Sequence, residues 1–189
     1  MFSLFTRRIT QDQAAEALAA CLVVTAAHCA EDYLNNKDNT HLRNVIVTPS
    51  IEDQTVLEFL VVETYCAKSY IAGQYYNNVD LSHFFKQVEA AACRQYMKAQ
   101  RDSGFTVESL SNIWREALET YSGRGFSGSN RKDSLLGQFG SRVAAIFGDG
   151  PYSFAATMAS LSLGAALAAR RDSRIRDKIL SHVDWNKKV

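Results

Sequence analysis

Proline is almost missing from this chain: Pro49 and Pro151 are the two in 189 residues. Glycine is missing from its first half, because nine of the ten glycines follow Ser103 and Gly73 stands alone before it. That composition excludes collagen-like and low-complexity chains. It also leaves the first hundred residues nearly free of helix breakers, followed by a half punctuated by flexible joints. Cysteine is scarce too. Cys21, Cys29, Cys66 and Cys93 are widely spaced and form no CxxC pair. Such spacing argues against a zinc site and a secreted disulfide framework, and predicts buried thiols in a reducing compartment. Charge is balanced, 21 Lys and Arg against 20 Asp and Glu, and no basic stripe interleaved with aromatics runs through the body of the chain. No nucleic-acid partner is therefore expected. The basic excess sits at the end, where residues 170–189 hold seven basic and three acidic side chains, the pattern of a solvated helix face.

What is there is hydrophobic, at 47% of residues, enough to bury one sizeable core. Thr10 and Gln13 have capping-box spacing and open a helix to about Asn35, with Leu18, Leu22, Thr25, Cys29 and Tyr33 on one stripe. Pro49 suits the start of a second helix, Ser50 to Tyr75, whose apolar residues wrap the whole axis and mark it as the central one. Asp80 can cap a third helix with a face of Leu81, Phe84, Phe85, Val88, Ala92, Tyr96 and Ala99. Thr106 opens a fourth with Val107, Leu110, Ile113, Trp114, Ala117, Leu118 and Tyr121 inward. A fifth follows Asp133, an uncharged stretch covers Tyr152 to Ala169, and a short helix lies near Arg174 to Val183.

The segment Leu22-Val-Val-Thr-Ala-Ala-His28-Cys29 resembles the catalytic-histidine segment of the chymotrypsin-like serine proteases. That resemblance implies a pair of β-barrels and a nucleophilic serine within Gly-Asp-Ser-Gly-Gly. The chain lacks that segment and sets the eight matching residues in an alanine-rich helix, so proteolysis is not expected. His28 is instead expected to pair with Glu31 or Asp32, one turn away. Glu58 and Glu63 do not share a face, and the ExxH repeats of di-iron bundles are absent. No catalytic, cofactor-binding or metal-binding residue is therefore assigned, and no cofactor is expected. The glycine-serine segment from Ser122 to Lys132 lacks the Gly-Lys-Ser/Thr ending of a phosphate-binding loop and reads as a mobile surface loop. Its Arg124, Phe126, Asn130, Arg131 and Lys132 are the candidate partner-binding residues.

These observations predict an all-α, single-domain bundle of about six main helices, with antiparallel neighbours and a short basic C-terminal helix. Residues 1–170 form the bundle, and 171–189 form a basic helix or appendage, the last two helices pairing as a hairpin. The function expected is a non-enzymatic protein-interaction module, of the adaptor, inhibitor or immunity type. One alternative is a bundle enclosing a small apolar or aromatic ligand among Tyr65, Tyr70, Phe84, Phe85, Tyr96 and Trp114. A third reading is membrane association through residues 152–169, whose eighteen uncharged residues barely reach spanning length. A buried soluble helix is preferred there, with Ala165 packed near Val88 and Ala92 or near Leu118. A protein partner is expected, with self-association open and membrane contact not expected. Asp12 and Glu16 interrupt any signal-peptide pattern, so the location expected is cytoplasmic.

Overall fold

The computed structural model describes residues 8–42, 45–75, 81–100, 105–124, 133–151, 153–169 and 173–185. The chain is an all-α bundle of seven helices with no strand among those residues. They are α1 Gln11–Asn35, α2 Pro49–Tyr75, α3 Ser82–Ala99, α4 Val107–Tyr121, α5 Leu135–Ile146, α6 Phe154–Ala169 and α7 Ser173–Ser181. A single turn of 3-10 helix, Thr40–Leu42, lies between α1 and α2.

The starts of these helices follow local chemistry. Thr10 Oγ1 accepts from the Gln13 amide at 3.2 Å while Gln13 Oε1 accepts from the Thr10 amide at 3.1 Å, satisfying two donors of the first turn of α1. Pro49 occupies the first position of α2, with Thr48 Oγ1 accepting from the Ile51 amide. Thr106 and Ser109 form the same reciprocal box on α4. Ser134, not Asp133, caps α5 by accepting from the Gly137 amide. Leu81 holds the cap position of α3, and Asp80 lies outside the described residues.

The central position of α2 is clear from its contacts with α1, α3, α4 and α5 and from the complete burial of Phe59, Leu60, Val61 and Val62. Its polar interruptions are also satisfied, since Thr55 and Thr64 donate to the Ile51 and Leu60 carbonyls. On α1 Leu18, Leu22 and Tyr33 of the expected stripe are buried, whereas Thr25 and Cys29 are only half-buried, and the other buried residues are the alanines Ala14, Ala15, Ala19, Ala26 and Ala30. Side chains this small let α1 approach α2 and α3 closely. Asp12 accepts from Gln87, and Glu16 pairs with Arg94 and Gln95. Those pairs show that α1 and α3 run parallel, unlike the antiparallel neighbours expected.

The C-terminal half departs further from expectation. α6 pairs with α5, not with α7, and the contact is built on small residues. Gly140 faces the Ala156 carbonyl, and Ser160 Oγ donates to Leu136 O at 2.7 Å, an antiparallel register. Gly137, Gly140 and Gly164 therefore lie inside helices, while Gly123 (φ 72°) and Gly148 (φ 75°) serve the turns that need a left-handed residue. α7 rests on α1, and the Ile9 amide donates to His182 O while the Asp184 amide donates to Ile9 O. Leu180 and Val183 join the same core as α1 to α5, and Trp185 sets its edge on Phe84 at 5.3 Å. The expected boundary between 170 and 171 lies outside the described residues.

Candidate partner-binding groove

Of the five residues proposed for partner contact, Phe126, Asn130, Arg131 and Lys132 lie outside the described residues. Arg124 is engaged within the fold. Its Nε donates to Thr120 O at 2.6 Å, its Nη1 donates to Asp133 O at 3.4 Å, and the Asp133 carboxylate stands 3.7 Å away. It thus caps the C-terminus of α4 and ties it to the start of α5.

Of the six aromatic residues considered as a ligand cage, Phe84 meets Phe85 at 6.1 Å, and Tyr65 and Phe85 line one small pocket. Phe84 packs on Trp185, Tyr65 on Tyr121, and Tyr96 on Phe105, with Tyr96 Oη donating to Asp53 O at 2.7 Å. His28 is exposed on α1 in the middle of a continuous helix. Among the described residues no three His, Cys, Asp or Glu side chains stand where they could hold one metal ion.

Sequence reasoning missed a buried ionic cluster. The Arg142 guanidinium of α5 grips the Glu58 carboxylate of α2 through Nε at 3.0 Å to both oxygens and Nη2 at 2.6 Å, and Tyr121 Oη of α4 donates to Glu58 at 3.0 Å. Glu116 lies 3.5 Å from Arg142 on the solvent side. Burial alone would lower the Arg142 guanidinium, but hydrogen bonding and charge from Glu58 outweigh it and raise it above its ordinary value. Burial, then the Glu58 charge, raises the Tyr121 phenol well above its ordinary value. The cluster joins three helices, with a guanidinium from α5, a carboxylate from α2 and a phenol from α4. The signal available in the sequence was a single glutamate inside Val56-Leu-Glu-Phe-Leu-Val-Val62.

A larger feature opens on the other side of α4. Helices α3 and α4 touch each other little because α3 packs chiefly on α1 and α4 chiefly on α2, and an open groove of about 520 Å³ separates them. Ala90, Cys93, Met97, Val107, Trp114 and Leu118 supply its apolar surface, and Lys86, Glu89, Arg94 and Arg115 its charges. On α3 the lining positions run from 86 to 97 and on α4 from 107 to 118, one face of three turns on each. Leu118 and Phe85 line a smaller adjoining pocket, and Tyr96 meets Phe105 at 6.5 Å, so α3 and α4 are antiparallel across the gap. Val107, expected to face inward, is 67% exposed at one end of the groove. Trp114 is 4% exposed, and its indole N–H has no acceptor among the described residues. Burial, reinforced by Glu89, pushes the Cys93 thiol up to about 11, against a lowering by Arg94, so it is a neutral apolar group here. Glu89 is paired with Lys68, and Arg94 with Glu16. Among the described residues no ion pair engages Lys86 or Arg115.

α6 is buried on one face only. Ala155, Ala156, Ala159 and Leu163 pack inward, chiefly against α5, while Phe154 and Leu161 are 53% and 56% exposed. Ala165 is exposed as well, and α6 rests on α5 and α1, so the packing expected near Val88, Ala92 or Leu118 is not formed. α1 is the one described helix long and apolar enough to cross a membrane, and α6 is shorter than that. Comparison of the chain with protein-family models, with curated proteins and with solved structures finds no match in any of the three.

Proposed function

We propose that this chain is a non-enzymatic protein-interaction module that receives its partner in the groove between α3 and α4. The observation that carries the reading is the combination of an apolar trough three turns long with a charged rim, at a place where two helices of a packed bundle leave each other uncovered. The Arg142–Glu58–Tyr121 cluster supports it indirectly, because it ties α4 to α2 and α5 and so fixes one wall of the trough. On this reading the protein acts in the cytoplasm, where thiols such as Cys93 stay reduced.

The test is site-specific photo-crosslinking in the native cell from a benzoylphenylalanine placed at Ser111, an exposed groove position, and from one at Glu31 on the outer side of α1. The reading expects one discrete protein adduct from position 111 that is lost when Val107→Asp and Ala90→Asp are added. Equal adducts from both positions, or an adduct indifferent to those two changes, would overturn it. A second reading, membrane contact, is favoured by the exposed Phe154 and Leu161 on an uncharged helix. It expects flotation with liposomes that Leu161→Lys abolishes.

A further inference from the structure

The groove is polarised, and its polarity selects a kind of occupant. The antiparallel register sets Lys86 of α3 across from Arg115 of α4 at the end marked by Leu118, while Val107 and Met97 mark the other end. Of the four charges on the lining, Glu89 and Arg94 are neutralised by Lys68 and Glu16, which leaves two cations facing each other at one end of an apolar trunk. Eleven residue steps on each wall make the trunk about 16 Å long, the rise of three helical turns. Lining positions recur three, four, seven and eight residues apart on both walls, the surface that a third helix fills by laying its own ridges between them. A single acyl chain in this open trough would keep one side in water along its whole length. A helix covers both walls.

Resting on the interaction reading above, we propose that the partner element is an amphipathic helix with an apolar stripe and an acidic C-terminal turn, lying parallel to α4 with that turn between Lys86 and Arg115. The orientation follows from electrostatics. The C-terminal end of a helix carries the negative end of its dipole and its unsatisfied carbonyls, so two facing cations favour it, and acidic side chains in that turn add to the attraction. The opposite orientation would bring the positive end of the dipole onto the cations. Docking of this kind completes an antiparallel neighbour for α3 and covers Cys93, Trp114 and Val107.

The experiment uses stapled amphipathic peptides of about twelve residues, long enough to fill the trunk and held helical because isolated helices of that length are marginal. Three share one leucine stripe and carry glutamates in the last turn, glutamates in the first turn, or lysines in the last turn. Binding is read by fluorescence anisotropy to the full chain and to Lys86→Glu/Arg115→Glu. The first peptide is expected to bind at least tenfold more tightly than the third, with an intermediate value for the second, and the double variant is expected to invert the order of the first and third. Binding should also slow alkylation of Cys93 relative to Cys21. Equal affinity for the three peptides, or an order the double variant leaves unchanged, overturns the proposal, as does displacement of the first peptide by dodecanoate binding more tightly at Cys93. Any of those results together with a groove-dependent adduct from position 111 would leave the interaction reading standing and remove the acidic helix alone.

Discussion

One methyl group at Gly140 tests the packing that holds the C-terminal half together. Gly140 sits inside α5, where alanine would ordinarily gain about 0.5–1 kcal/mol by restricting the unfolded chain and favouring helix. A Cβ there would instead fall well inside contact distance of the Ala156 carbonyl oxygen and Ser160 Oγ, and 3.0 Å from the Ala156 carbonyl carbon. Two of those atoms belong to backbone that α6 cannot rotate away, so the helices must separate, and Ser160 risks its bond to Leu136 O. Overpacking of this kind costs about 1–3 kcal/mol and the hydrogen bond about 1 kcal/mol, so Gly140→Ala is expected to destabilise by a net of about 1–3 kcal/mol. Gly164 supplies the control. The nearest atom to its added Cβ is Leu136 Cδ1 at 3.9 Å, an ordinary contact, so Gly164→Ala should stabilise by about 0.5–1 kcal/mol. Thermal and urea unfolding followed by far-ultraviolet circular dichroism reads both, with about 2–4 °C per kcal/mol for a chain of this size. A Gly140→Ala protein at least as stable as the parent would refute the close α5–α6 contact, and so would a loss of equal size in Gly164→Ala.

Three further outcomes follow from the burial and pairing described above. Arg142→Met leaves the Glu58 carboxylate buried without its cation and should cost about 2–4 kcal/mol, whereas Glu58→Met/Arg142→Met should cost clearly less than the sum of the two single changes; an additive double-mutant cycle in urea would contradict the pairing. Tyr33, Tyr96 and Tyr121 have phenols raised above 10.0, chiefly by burial, and Cys93 is pushed up to about 11 from 9.0. Because a raised folded pKa means that the unfolded chain releases its proton first, stability from these groups is complete below pH 9 and is lost as pH climbs beyond 10. Tyrosinate absorbance should show these three of the eight tyrosines ionising only as the helix signal collapses, and full ionisation with the helix intact would be the contrary result. On α6, Leu161→Lys should change stability by no more than about 0.5 kcal/mol while Leu163→Lys prevents folding or costs several kcal/mol, since one side chain is 56% exposed and the other fully buried; similar losses would mean that the outer face is packed.

The helices whose burial is periodic in large side chains were legible in the sequence. Phe84, Val88, Ala92 and Tyr96 on α3, and Leu110, Trp114, Ala117 and Tyr121 on α4, are buried as their spacing predicts. On α1 Leu18, Leu22 and Tyr33 are buried as their spacing predicts, whereas the buried Ala15, Ala19, Ala26 and Ala30 carried no signal, because a small side chain is equally at home on every face. Glycine was misleading for a related reason. Its freedom matters at Gly123 and Gly148, but at Gly140 its value is its missing Cβ, which only the approach of α6 explains. The groove left no local trace, since it arises from how far apart two well-formed helices stand when one packs on α1 and the other on α2, and Val107 becomes one of its walls through tertiary geometry that its spacing contradicts. Glu58 was visible as a charge in an apolar run, but its partner lies 84 residues away on another helix.

The most direct measurement of the central claim is the labelling rate of Cys93 by a thiol-reactive maleimide inside the native cell, compared with the purified protein and normalised to Cys21 on α1. Cys93 lines the groove and Cys21 does not, so occupancy by a partner should slow Cys93 several-fold in the cell while leaving Cys21 unchanged. Val107→Asp with Ala90→Asp should return the Cys93 rate in the cell to that of the purified chain. A rate already equal in the two settings for the unaltered protein would contradict the claim that a partner lies between α3 and α4.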